Sequence, residues 1–72
     1  MSKQEKREQR IRLNPTNVSL QDFEYLINQY GQIKISGSHF KAVISENTLP
    51  YKRENPVKPV YVKNLLKLID RL

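Results

Sequence analysis

The spacing of hydrophobic positions divides the chain into helical and extended segments. After Ser19, apolar side chains recur every three or four residues, which predicts a helix over residues 20–30. Ser19 and Asp22 form a weak capping box at the amino end of this helix, and Gly31 is suited to close its carboxyl end. The helix is therefore bounded by recognisable signals on both sides.

The segment after this helix alternates between polar and apolar residues, as strands do. Residues 32–36 and 39–45 are rich in strand-forming side chains and are separated by Gly37-Ser38, so they predict a β-hairpin. In the second strand, alternation places Phe40, Ala42 and Ile44 on one face and His39, Lys41 and Val43 on the other.

Weaker signals follow the hairpin. Residues 46–48 predict a turn, and residues 49–51 at most a short third strand, for which Pro50 favours an edge position. Residues 52–58 carry four charges and Pro56, so we expect an exposed loop there.

The last hydrophobic segment predicts a second amphipathic helix. Pro59 suits its first turn, and apolar positions then recur at helical spacing: Val62, Leu65, Leu66 and Ile69. Two helices can cover one face of a small sheet and leave its other face open to a partner.

The amino-terminal segment is expected to stand in front of this core. Residues 3–12 are good helix formers with few apolar members, and Asn14-Pro15 breaks the helical pattern. We expect a helical arm over residues 1–14 and a core over residues 15–72, within one domain. The predicted fold class is α+β: an antiparallel sheet of two to three strands with two helices on one face, in the order α-β-β-β-α.

The composition argues against several classes of function. The chain has no cysteine, so it has no disulfide framework and no thiolate zinc site, and it suits a reducing compartment. Its single histidine and scattered carboxylates do not suggest a metal cage, and we expect no metal or cofactor. No apolar run reaches the roughly 20 residues that cross a bilayer, and the amino terminus lacks a secretory signal, so we expect a cytoplasmic protein without a membrane partner.

The charge is unevenly distributed along the chain. The formal net charge is +6; residues 1–31 carry five basic and four acidic side chains, whereas residues 32–72 carry eight and three. A polyanion such as RNA is the natural partner for this field, and a small protein that is merely basic is the plain alternative.

Candidate chemistry lies at Gly37-Ser38-His39, where the hairpin turns. A histidine that opens a strand is most simply a solvated residue, so a functional role needs a reaction that one histidine can run. RNA cleavage is such a reaction, because the substrate's own 2′-hydroxyl is the nucleophile and the enzyme supplies only proton transfer and charge stabilisation.

Several segments follow one another in an informative order. Residues 15–31 end in Tyr-Gly, the Gly37-Ser38-His39 turn follows, and residues 56–69 open with Pro-Val-Lys-Pro-Val-Tyr-Val-Lys. From about residue 7 onward the chain resembles the HicA toxin family of toxin–antitoxin systems. The resemblance implies a fold similar to a double-stranded-RNA-binding domain, ribonuclease activity on mRNA, and neutralisation by a HicB antitoxin. It also implies that His39 is catalytic and that Gly37 and Ser38 form the turn that positions it.

Basic side chains complete the RNA hypothesis. The candidates are two lysines on paired strands and two that flank the start of the last helix: Lys34, Lys41, Lys58 and Lys63. The first two would steady the charge on the reacting phosphate, and the second two would help the helix amino end hold a phosphate. Lys52 and Arg53 are the next candidates, and a solvated position is the alternative for any single lysine.

Other classes of function remain open. The family pattern usually continues with a second histidine and an aromatic residue, where this chain has Phe40 and Ala42. If these residues distort the strand, the chain would be a non-catalytic RNA-binding module or a degenerate toxin that mainly binds a partner. A purely structural interaction domain is the third alternative. Tyr51 and Tyr61 could anchor the antitoxin or pack in the core.

Overall fold

The computed structural model describes residues 3–72. Three helices and three strands follow one another: α1 (Lys3–Leu13), α2 (Leu20–Tyr30), β1 (Gln32–Ser36), β2 (His39–Ile44), β3 (Asn47–Tyr51) and α3 (Pro59–Asp70). The expected α+β class and the α-β-β-β-α order from α2 to α3 are confirmed. Residues 1–2, which belong to the expected arm, lie outside the described residues.

The first hairpin closes over the two residues that the sequence predicts. Ser36 pairs with His39, and Gly37 between them has φ +61°, a left-handed conformation that glycine adopts without steric cost. A positive φ at the first central residue is a feature of the type I′ and type II′ turns, whose twist matches that of the two strands.

The third strand is longer than the sequence predicts. Ile44 pairs with Asn47, so the turn consists of Ser45 and Glu46, and the expectation of a turn over residues 46–48 is wrong. Thr48 is exposed and polar and gave no hydrophobic signal, but its backbone continues the ladder with β2. The strand order in the sheet is β1-β2-β3, so β3 is an edge strand. The edge position predicted from Pro50 is confirmed.

The sheet has one covered face and one open face. The covered face carries buried residues of β2 and β3 and packs against α2 and α3: Ala42, Ile44, Leu49 and Tyr51. The open face, as the paired registers define it, carries the alternate residues of the three strands: Gln32, Lys34, Ser36, His39, Lys41, Val43, Thr48 and Pro50. All of these except the half-buried Val43 are exposed.

The two amphipathic helices form as their spacing predicts. Their buried positions are Phe23, Leu26 and Ile27 on α2, and Val62, Leu65 and Ile69 on α3. The Ser19 hydroxyl accepts a hydrogen bond from the Asp22 N–H at 3.1 Å and caps α2. At the other end, a Cβ on Gly31 would come within 1.9 Å of the Val43 carbonyl oxygen, so the close approach of β2 requires glycine there.

The loop between β3 and α3 contributes to the core, which corrects the expectation that residues 52–58 are wholly exposed. Val57 is buried and forms an isolated bridge with Val18, to whose carbonyl it donates a 2.8 Å hydrogen bond. This contact joins positions that are distant in sequence and lack any periodic pattern, so neither side chain was recognisable as core.

The expected amino-terminal arm is a helix that docks on the core. Ile11 of α1 is only 3% exposed and belongs to the hydrophobic core, whereas Leu13 is 86% exposed. Ion pairs flank this contact: Arg12 reaches Asp70 of α3 at 2.7 Å, and Arg7 reaches Asp22 of α2 at 3.5 Å. The buried Ile11 and these ion pairs therefore hold α1 against the core.

Candidate functional site

His39 opens β2 directly after the turn, and its side chain is exposed on the open face. Lys41 follows on the same face, and the register of the hairpin places Lys34 opposite Lys41. The structure therefore brings together three of the predicted site residues. Gly37 and Ser38 form the turn that sets where β2 begins, and hence where His39 lies.

A groove of about 600 Å³ lies beside His39. Its lining comes from the first turn, β2, β3, the loop that follows β3, and α3: Ser38, His39, Phe40, Lys41, Pro50, Tyr51, Lys52, Arg53 and Tyr61. The lining includes three cationic side chains and one histidine but no carboxylate. Such a groove attracts anions and suits a phosphate-bearing ligand.

Lys52 and Arg53 enter the groove because β2 and β3 are antiparallel. Phe40 pairs with Tyr51, so the chain that leaves β3 passes beside the start of β2, where His39 lies. From sequence alone, Lys52 and Arg53 are weaker candidates for RNA binding than Lys58 and Lys63. The signal that could have found them is this strand pairing, which places the end of β3 next to the Gly-Ser-His turn.

Arg53 is held in one orientation at the wall of the groove. Its guanidinium lies 4.9 Å from the centroid of the Phe40 ring and donates hydrogen bonds to Glu24 at 3.0 and 3.2 Å. A cation over an aromatic face and a bidentate carboxylate pair both favour a single geometry. Lys52 has no ion-pair partner among the side chains described for residues 6–72, and it adds a positive charge to the groove lining.

Tyr51 packs in the core and also borders the groove. It is 5% exposed, its ring lies edge-on to Phe23 at 5.0 Å between centroids, and its hydroxyl donates a 2.7 Å hydrogen bond to Glu24. Burial, together with this hydrogen bond, raises the pKa of Tyr51, so the hydroxyl stays protonated. The core interpretation is therefore correct for Tyr51, while Tyr61 is half-buried and lines the groove.

Of the four predicted RNA-binding residues, only Lys41 lines the groove; Lys34 lies opposite it on the open face, and the other two belong to the start of α3. Lys58 is the amino-terminal cap residue of α3, and Lys63 is exposed one turn further along that helix. Both are exposed, but the structure does not place either beside His39 in the groove.

Phe40 and Ala42 fit into a regular strand. β2 pairs residue by residue with β1 from His39 to Val43, and with β3 from Phe40 to Ile44. Ala42 is fully buried, and the Phe40 ring packs against Tyr51 at 6.3 Å between centroids. The aromatic ring at Phe40 and the small side chain at Ala42, which depart from the HicA pattern, are thus accommodated without a break in the ladder.

Within the described part of the chain, no group of three or more His, Asp or Glu side chains is arranged to hold a metal ion. No helix described there is long and apolar enough to cross a membrane.

Comparisons with known proteins gave no match. No protein-family model, no curated protein and no solved structure is significantly similar to the chain. Function is therefore inferred from the site and from the resemblance of its motifs.

Proposed function

We propose that the chain is a HicA-like toxin, a ribonuclease that cleaves mRNA in the cytoplasm without a metal ion and uses His39 as its catalytic residue. The observation that carries the proposal is the position of His39: it is exposed at the edge of a cationic groove and shares the open face with Lys34 and Lys41. A single-stranded RNA backbone can reach this face directly, because the side chains around His39 are exposed.

The chemistry requires only groups that the site contains and water. The 2′-hydroxyl oxygen of the RNA attacks the adjacent phosphorus while the bond from phosphorus to the 5′-oxygen breaks. The products are a fragment that ends in a 2′,3′-cyclic phosphate and a fragment that begins with a 5′-hydroxyl. As general base, His39 takes the 2′-hydroxyl proton and water protonates the leaving 5′-oxygen; as general acid, His39 protonates the leaving oxygen and water takes the 2′-hydroxyl proton.

The lysines stabilise the charge that develops during this reaction. Lys41 lies two residues from His39 on the same face, and Lys34 is its paired neighbour, so both are placed to approach the nonbridging oxygens of the phosphate. Lys52, which also lines the groove, can hold a neighbouring phosphate of the strand.

The regular pairing of β2 favours the enzyme over a non-catalytic RNA-binding module. The alternative would require that Phe40 and Ala42 distort the strand that carries His39. Both side chains instead lie on the covered face of a continuous ladder, which leaves the open face free for the reaction.

A HicB-like antitoxin is the proposed protein partner, and it would cover the same groove. A standard interface takes about 800 Å² from each partner, a sizeable share of a total accessible surface of 4980 Å². Because the groove lining is cationic, an acidic patch on the antitoxin would give fast, salt-sensitive association. Tyr61, half-buried in the lining, is the proposed aromatic contact.

The test of this function is RNA cleavage in the presence of EDTA. We expect the purified chain to cut RNA in chelator, to leave 5′-hydroxyl ends, and to spare an RNA of the same sequence with 2′-deoxyribose throughout. Loss of cleavage in EDTA would indicate a required metal, and cleavage of the 2′-deoxy strand would exclude the 2′-hydroxyl as nucleophile. Either result would contradict the proposal.

A further inference from the structure

We propose a second RNA-binding site, the α3 cleft, formed by Asn64, Lys67 and Arg71, which holds the RNA strand where it leaves the His39 groove. This inference rests on the proposed function and specifies its substrate as a single strand longer than the groove itself. No sequence signal assigned a role to any of these three residues.

The α3 cleft lies between β3 and the carboxyl end of α3. It has a volume of about 180 Å³ and is lined by Leu49, Asn64, Lys67, Leu68 and Arg71. An amide and two cations on a small apolar floor are suited to hold a phosphate and the sugar attached to it.

The α3 cleft continues the line of the groove. Pro50 and Tyr51 of β3 line the groove, and the preceding residue of the strand, Leu49, lines the α3 cleft. On α3, Tyr61 lines the groove, and the first residue that lines the α3 cleft is Asn64, one turn later. Since β3 packs against α3, both depressions lie along the same border between the two elements.

The length of this border indicates how much RNA it can follow. Tyr61 and Arg71 are ten residues apart, which corresponds to about 15 Å along a helix. At the 3.4 Å rise of a stacked strand, this distance spans about four nucleotides. An RNA that fills both depressions would therefore extend about four nucleotides beyond one that fills the groove alone.

The two cations of the α3 cleft are free to bind a phosphate. Lys67 and Arg71 are exposed and have no ion-pair partner among residues 6–72, the part of the chain whose side chains the structure describes. The nearest acid in sequence, Asp70, is paired with Arg12 at 2.7 Å on the side of α1. Arg71 can bind a phosphate through two parallel hydrogen bonds, and Lys67 can add a point charge.

The test compares RNA binding by two double variants, both in the His39→Ala background so that the RNA is not cut. The first is Lys67→Gln/Arg71→Gln, which removes the charge of the cleft. The second is the matched control Lys6→Gln/Arg10→Gln, which removes one lysine and one arginine with the same spacing from an exposed face of α1. Affinity is measured by fluorescence anisotropy over a range of salt, with RNAs of about three and about ten nucleotides, below and above the length estimated for the border.

We expect the cleft variant to bind the longer RNA about tenfold more weakly and to reduce the salt slope by about 1.4, because two phosphate contacts are lost. Its affinity for the shorter RNA should be unchanged, and the α1 variant should bind both RNAs like its His39→Ala parent. Thermal unfolding of each variant checks that the fold is retained, since both pairs are exposed.

Two results would overturn the α3 cleft while the proposed function stands. One is an unchanged affinity of the cleft variant for the longer RNA. The other is an equal loss in the α1 variant, which would indicate a diffuse field rather than a site. Failure of the His39→Ala parent to bind either RNA would overturn the cleft together with RNA binding as the function of the chain.

Discussion

At the scale of single residues, the two glycines serve different physical requirements. Gly31 has φ −165°, an extended conformation that any residue adopts, but a Cβ there would lie 1.9 Å from the Val43 carbonyl oxygen. Gly37 has φ +61° and open space where its Cβ would be. Gly31 is thus needed for close packing of α2 on β2, and Gly37 for the backbone conformation of the turn.

We therefore expect Gly31→Ala to cost more stability than Gly37→Ala. The backbone of β2 must move to relieve the overlap at Gly31, as in an overpacked core, at a cost of about 2–3 kcal/mol. The left-handed conformation at Gly37 costs alanine about 1–2 kcal/mol, and no neighbouring atom adds a clash there. Urea unfolding of both variants measures the difference, and equal stabilities would contradict this explanation of Gly31.

At the same scale, Glu24 links the core to the wall of the groove. Its carboxylate accepts hydrogen bonds from the buried Tyr51 hydroxyl and from the Arg53 guanidinium. The side chain comes from α2, whereas both donors come from the end of β3 and the loop after it. One carboxylate thus ties the covered face of the sheet to a residue of the candidate site.

At the scale of elements, α1 shows how a polar helix can join a small core. Its sequence has few apolar residues, yet Ile11 is buried and the tyrosine at the end of α2, Tyr30, donates a hydrogen bond to Glu8. Arg7 also lies over the Tyr25 ring, 4.0 Å from its centroid. Docking of residues 6–13, whose side chains the structure describes, therefore depends on Ile11 and on several polar contacts that the helical period does not encode.

We expect Ile11→Ala to destabilise the chain by about 2–4 kcal/mol, because it removes a buried side chain and leaves a cavity. Leu13→Ala is the matched control on the same helix: Leu13 is 86% exposed, and its truncation should change the stability by less than about 0.5 kcal/mol. Thermal or urea unfolding compares the two variants. Equal effects would contradict the docking of α1 through Ile11.

The ion pair between α1 and α3 should make stability depend on pH in acid. The hydrogen bond from Arg12 lowers the pKa of Asp70 below its usual 3.8. The pair is therefore fully stabilising above about pH 4, and its contribution is lost as the pH falls through the lower pKa of the folded state.

Asp70→Asn should accordingly be less stable than the parent at neutral pH and low salt, and the difference should vanish in acid. Unfolding curves measured from neutral pH to about pH 2 test this. Because the pair is exposed, about 1 M salt should also reduce the difference. A difference that persists at the acid end would show that Asp70 acts through something other than its charge.

At the scale of the whole molecule, the local parts of the fold could be predicted from sequence. The Ser19 cap, the periodic apolar positions of α2 and α3, and the Gly37 turn act within a few residues, so the pattern indicates them directly. Long-range contacts could not be predicted in this way. Val57 is buried because it meets Val18, and Ile11 because it meets the core, and neither contact leaves a periodic trace.

The candidate site likewise contains residues that local sequence patterns predict and residues that depend on long-range contacts. His39, Lys41 and Lys34 share a face because of strand alternation and hairpin register, both of which the sequence encodes. Lys52 and Arg53 reach the groove only through the pairing of β3 with β2, which depends on a strand that the sequence barely indicates. The α3 cleft needs, in addition, the packing of α3 on β3.

The most direct test of the central claim is the single-turnover rate of RNA cleavage by the parent chain and by His39→Ala, measured with the affinity of each for the same RNA. Thr48→Ala is the control, because Thr48 lies on the open face but outside the groove lining. We predict that His39→Ala lowers the rate by about 10²- to 10⁴-fold, the usual contribution of a general acid or base. Its affinity and melting temperature should match the parent, and Thr48→Ala should cleave at the parental rate. A His39→Ala protein that cuts RNA as fast as the parent would show that His39 is not the catalytic residue.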